Sequence, residues 1–225
     1  MAVAPLNKFI TIAVPVAPGE QTVYTAPTGV SSIVLYASVA NVGIGNTYPT
    51  VTFTHRRKST ASATSGNTRN IRVIKNAEIP PNDSLVIIDG RLVLERTALQ
   101  QDSVVIQGVQ SGVVAVSTAQ YDHDTGITTI TTSTPHGFNV NDEVTMSGLA
   151  FTCGPGYVGG LTTSIFPSPQ KSFIVDTIEG SVGTSLTFTT NSGVVAGIAH
   201  TYVSGGQVAP LQMELIMSIL ENSTT

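Results

Sequence analysis

The residues best equipped for chemistry lie at 121–130, in "YDHDTGITTI". Asp124-Thr125-Gly126 is the tripeptide that aspartic proteases use, and His123 stands between two carboxylates, Asp122 and Asp124. Catalysis fails on context. The proteolytic tripeptide follows an apolar strand and precedes a small residue; here Tyr-Asp-His comes before it and Ile127 after. It also works as a facing pair of aspartates, and this chain holds a single copy. Cation binding is a second reading, because carboxylates are the oxygen donors calcium takes, but two alone make a weak site. The third reading is a turn. Asp122 and Asp124 would bond local backbone, and Gly126 would supply a positive φ before "ITTITT".

The other reactive side chains are scattered. His136 sits in the turn-like "STPHGF" and His200 in the strand-like "IAHTYV". Together with His123 and Cys153 they have the donor types of a zinc site, but no two have close ligand spacing. Cys153 is the only cysteine, so no internal disulfide forms, and no neighbour in sequence activates it. The glycine-rich "CGPGYVGGLTT" lacks the lysine of a phosphate loop, and no helix pattern follows it. It reads as a long irregular loop. Tyr157 on it, with Asp122 and Asp124, are the candidates for outward contact. No catalytic residue, metal ligand or cofactor is expected, and the chain reads as non-enzymatic.

The strongest charge feature is "HRRKSTASATSGNTRNIRVIK". Arg56, Arg57, Lys58, Arg69, Arg72 and Lys75 fall close together, with no acid between Glu20 and Glu78. One reading is an edge hairpin whose charges block stray pairing. The other is a basic surface that docks on an acidic neighbour in an assembly. Nucleic acid is a poor third, since aromatic residues are sparse here and the first domain as a whole is nearly neutral.

These residues need a scaffold, and the composition points to β structure. The chain has 225 residues, 41% hydrophobic and only 11% charged, with a net charge of -4. Thr, Ser, Val and Ile dominate, and Gly or Pro recurs about every ten residues, the spacing of a sandwich or barrel. No run of about 18 apolar residues would span a membrane. The N-terminal "MAVAPLNKFITIAVPVAPGE" lacks a basic start and a small-x-small cleavage site, and reads as a first strand.

The charge balance divides the chain. Residues 1–118 hold nine basic residues and six acids; residues 119–208 hold Lys171 against six acids. "NKFITIAVPV", "QTVYTA", "TVTFTHRRK", "RNIRVIK", "DSLVIID", "RLVLE" and "DSVVIQG" read as strands, with a tight hairpin at Asp89-Gly90. In "LQMELIMSILE", Leu211, Met213, Leu215, Met217 and Ile219 alternate, a period of two that favours a strand; a short helix is the rival. Such a strand needs a sheet, and the simplest one is in the first part. The expected fold is therefore all-β. A β-sandwich or jelly-roll-like platform (1–118 and 209–225) would carry a small β-barrel or sandwich (119–208) inserted before its last strand.

Both parts resemble virion proteins of tailed bacteriophages, especially cyanophages. "QTVYTAPTGVSSIVLYASVANVG" is similar to a turn and long strand of small phage structural proteins, which close with a strand similar to "LQMELIMSILE". "YDHDTGITTITTSTPHGFNVNDEVTMSGLAFTC", "GLTTSIFP", "FIVDTI" and "IAHTYVSGG" resemble a β module of cyanophage virion and tail-associated proteins. The resemblance implies a virion component, assembled in the host cytoplasm, that decorates the head or attaches at the neck or tail. Its partners would be other virion proteins and itself, as a homotrimer or another closed ring. A receptor- or carbohydrate-binding module touching host surface glycan is the alternative; the absence of Trp speaks against it.

Overall fold

The computed structural model describes residues 7–59, 67–153, 163–165, 170–195 and 199–223. Among them are seventeen strands and no helix. The chain forms two compact units, Met1–Val109 with Gln212–Thr225, and Gln110–Leu211.

The first unit contains β1 (Asn7–Pro15), β2 (Gly19–Thr25), β3 (Val30–Asn41), β4 (Thr50–Ser59), β5 (Thr68–Glu78), β6 (Ser84–Glu95), β7 (Gln100–Val109) and β17 (Met213–Ser223). They pair from the outside inward: β1 with β17, β2 with β7, β3 with β6, β4 with β5, all antiparallel. Wrapping this long double ribbon on itself sets β17 beside β3 and β7 beside β4. Two four-stranded sheets result, β1-β17-β3-β6 and β2-β7-β4-β5. This is a jelly roll, and everything between β7 and β17 is an insertion before its last strand.

Alternation builds its core. Along β17, Met213, Leu215, Met217 and Ile219 are buried, while Glu214 and Ile216 are exposed. They meet Val34, Ala37 and Val39 of β3, and Val51, Phe53, Val104 and Ile106 of the facing sheet. Each such large side chain contributes about 1.5–3 kcal/mol on burial. β17 is a strand because only a period of two gives it a face to bury, which settles the helix rival.

Successive strands run in opposite directions, so the β1–β2, β3–β4 and β5–β6 connections share one end with the insertion points. Asn41 knits that end. Its Nδ2 donates to the carbonyls of Thr47 (2.9 Å), Ile79 (3.0 Å) and Pro80 (3.2 Å), and its Oδ1 accepts from the Gly43 amide at 3.0 Å.

The expected hairpin at Asp89-Gly90 is not formed. β6 runs unbroken for twelve residues against β3. Tyr36 pairs with Asp89 and Val34 with Leu92, so Gly90 and Arg91 stand opposite Leu35 alone, a bulge. Gly90 has a φ of +153°, so the glycine kinks a strand and does not reverse it.

The second unit holds a closed six-stranded barrel. β8 (Val114–Tyr121), β9 (Ile127–Thr132), β10 (Glu143–Ser147), β13 (Ser172–Ile178), β14 (Thr187–Asn191) and β16 (Gln207–Pro210) pair in the order β8-β16-β10-β13-β14-β9, and β9 returns to β8. β15 (His200–Ser204), β11 (Ala150–Cys153) and β12 (Thr163–Ile165) extend from β8. Val116, Ile130, Val144, Met146, Phe151, Phe173, Phe188 and Val208 form the barrel core. β8 belongs wholly to this unit, although the charge balance changes only after it. β8 and the residues before it from Gln110 carry no charged side chain, so charge cannot assign them. Gly206 permits the entry to β16, since a Cβ there would lie 2.7 Å from Leu149 Cγ.

Candidate assembly surface

β4 and β5 pair from Thr50–Glu78 to Lys58–Thr68, and β5 is an edge of its sheet. Nearly every residue of β5 is exposed on both faces, including Ile71 and Val73. The six basic candidates do not act as one patch. Arg56 donates Nη2 to Glu20 Oε2 at 2.6 Å and Nε to Asn70 Oδ1 at 2.8 Å. Arg57 turns inward and forks Asp102, with Nε to Oδ1 at 2.7 Å and Nη2 to Oδ2 at 2.8 Å. Lys58, Arg69, Arg72 and Lys75 are exposed and form no ion pair among the described residues.

Asp102 is fully buried on the core face of β7, two residues before Val104. Besides Arg57 it accepts from the Glu95 amide at 3.2 Å, and His55 Nε2 lies 3.2 Å from its Oδ2. Burial pushes the Asp102 carboxyl up; the Arg57 fork, the Glu95 amide and His55 together outweigh it and hold the group below its ordinary range. The same end of the sandwich carries Tyr24, whose hydroxyl meets Ser32 Oγ (2.6 Å) and donates to Glu221 Oε1 (2.7 Å). Burial raises the Tyr24 phenol, Ser32 opposes this, and Glu221 adds to it. These clusters close the open end of the core. Sequence reasoning missed Asp102; the signal was its place in the alternation of "DSVVIQ", where it shares a face with Val104 and Ile106.

The segment 121–127 is a turn between β8 and β9. The Asp124 amide donates to Asp122 Oδ1 at 2.9 Å, Thr125 Oγ1 donates to Asp122 Oδ2 at 2.7 Å, and the Gly126 amide to the Asp122 carbonyl at 2.8 Å. The Thr125 hydroxyl and the Asp124 amide lower the Asp122 pKa. Gly126 has a φ of +78°, and a Cβ there would strike the Val194 carbonyl at 2.8 Å. His123 Nδ1 sits 2.8 Å from Asp124 Oδ1. Asp122 thus spends its oxygens on its own turn.

His136 is a core residue of the barrel. It accepts the Phe138 amide on Nδ1 at 3.0 Å, stacks on Phe138 at 4.9 Å and meets the edge of Phe188 at 5.3 Å. Burial lowers its pKa, against a bond to Thr187 backbone. His200 packs on Tyr121, ring centres 5.3 Å apart, and Cys153 pairs with it across β11 and β15. No three His, Cys, Asp or Glu side chains among the described residues group as metal ligands. Tyr157 and its loop, and residues 60–66 at the tip of the basic hairpin, lie outside the described residues.

No protein-family model matches the chain, and no curated protein matches it. Among solved structures, a T=1 particle derived from infectious bursal virus aligns over 97% of this chain and 40% of that one, at 10% identity and a TM-score of 0.27. The chain thus spans less than half of that protein's length. The stem and receptor-binding domain of spike protein P1 of bacteriophage PM2 aligns over 96% of both chains, at 10% identity and a TM-score of 0.18. A red clover necrotic mosaic virus structure covers 97% of this chain and 96% of its own, at 9% identity and a TM-score of 0.12. All three come from viruses. Scores this low leave the functional reading to the chain's own topology and chemistry.

Proposed function

We propose that this chain is a non-enzymatic structural component of a tailed-phage virion. It decorates or stabilises the particle, on the head or at the neck or tail, through repeated contacts with itself and with other virion proteins. β5 is the observation that carries the reading. It is a long edge strand exposed on both faces, with Arg69, Arg72 and Lys75 free of acidic partners among the described residues. An edge of this kind is a template for another chain, and its charges select an acidic one. The jelly roll supports the reading, since virus shells are among the structures it builds, though the fold alone assigns no function. Arg56 and Arg57 belong to internal pairs, so docking falls to Lys58, Arg69, Arg72 and Lys75. Many copies would multiply a modest single contact.

The test is incorporation. Particles assembled with the triple variant Arg69→Glu, Arg72→Glu, Lys75→Glu should carry at least tenfold fewer copies by quantitative mass spectrometry, while the purified variant melts like the parent. Unchanged incorporation would remove β5 from the interface.

A further inference from the structure

The outward faces of the two jelly-roll sheets differ. On β2-β7-β4-β5 the residues facing away from the core are mostly polar: Glu20, Thr22, Ser103, Gln107, Thr52 and Arg56. This is ordinary for a sheet with one wet face. On β1-β17-β3-β6 the register lines up Phe9, Leu220, Ile33 and Val93 as one cross-strand row spanning all four strands. Phe9 is 74% exposed and Val93 44%. The next outward row is Thr11, Ser218, Tyr36 and Asp89, and the one after is Ala13, Ile216, Ser38 and Val86, with Ile216 47% and Val86 49% exposed. Two mostly apolar rows therefore flank a polar one; Asp89 is the one charge within these three rows, and Arg91 is exposed in the bulge between the first two.

We infer that this face binds the same face of a second copy, about a two-fold axis parallel to the strands. Such an axis reverses strand order and keeps each row against itself. Phe9 then meets Val93 of the second copy, and Leu220 meets Ile33. In the middle row Asp89 faces the Thr11 hydroxyl, and Tyr36 faces Ser218. In the third, Val86 faces Ala13 and Ile216 faces Ser38. Beyond them Glu214 of β17 faces Ala40, never its own copy, because Pro15, Glu214, Ala40 and Ser84 form the next row. No like charges meet, and each row with exposed apolar side chains finds its like, Ser38 being the one polar residue in the third. An axis perpendicular to the strands through the middle row would instead set Asp89 against Asp89 of the second copy, like charge against like. Four strands of about nine paired residues cover about 19 Å by 30 Å, or roughly 1,100 Å² from both copies. That clears the roughly 1,000 Å² of a specific interface, and two sheets stacked about 10 Å apart at their natural twist give the geometry.

The inference rests on the self-association in the proposed function and not on the place in a virion. It predicts that the isolated full chain sediments at twice its 23.4 kDa mass, and that Phe9→Glu with Val93→Glu, both at exposed positions, halves the observed mass. Geometry is tested by cross-linking in a Cys153→Ser background. Phe9 and Val93 lie three strand spacings apart within one chain, about 14 Å, beyond a short bis-maleimide. The pair Phe9→Cys and Val93→Cys should join two chains, and either substitution alone should not. A parent at single-chain mass, a double-Glu variant that keeps its dimer, or cross-linking by Phe9→Cys alone would each overturn it. None of these touches copy number on particles. A dimer in solution from a chain absent from particles would instead overturn the virion reading and leave this face standing.

Discussion

Asp102 is the residue whose environment most constrains the first unit. Asp102 has no solvent contact, and the Arg57 fork is the largest of the contacts that hold its charge. Replacing Arg57 with Ala leaves that buried charge only the Glu95 amide and His55. Arg57 is itself 40% exposed, so water offsets part of the loss, and the expected destabilisation is about 2–3 kcal/mol. Arg56→Ala, one residue away, breaks an exposed pair with Glu20 and should cost under about 1 kcal/mol. Denaturant titration of both variants measures the difference; equal effects would contradict the assignment. His136 makes the second prediction at this scale. Its pKa is lowered on folding, so stability is full above the unfolded value near 6.5 and falls as pH drops below it. His136→Phe should flatten that slope below about pH 6.5, at a constant cost near 1 kcal/mol for the lost acceptor. Thermal melts across this range check it. Neither partner set was legible in the sequence. Arg57 and Asp102 are forty-five residues apart, and only the β4–β7 register brings them together.

At the scale of elements, the strands were legible and some of their connections were not. Alternation in "LQMELIMSILE" identifies β17, and the need for a sheet returns it to the first unit. The turn at 121–127 was legible because its chemistry is local: Asp122 bonds residues two to four positions away. Asp89-Gly90 was misread because the dipeptide is equally at home in a bulge. Whether a strand turns or kinks there depends on β3, which offers a continuous partner from Ser31 to Ala40. Gly90→Val tests this. Open space surrounds the position, so the cost is backbone strain alone, about 1–3 kcal/mol by chemical denaturation. A neutral effect would show that the φ of +153° is not required.

At the scale of the molecule, the two units divide the charge. The jelly roll carries nine basic residues and eight acids, the inserted unit one and six. A chain with a near-neutral jelly roll and an acidic insertion can offer different surfaces to different neighbours, and β5 and the β1-β17-β3-β6 face are the two proposed on the jelly roll. The measurement that tests the central claim most directly is cryo-electron microscopy of intact particles with density assigned to this chain. The account predicts repeated, symmetry-related copies on the particle, with β5 against an acidic neighbour. Particles that lack the chain altogether would contradict it.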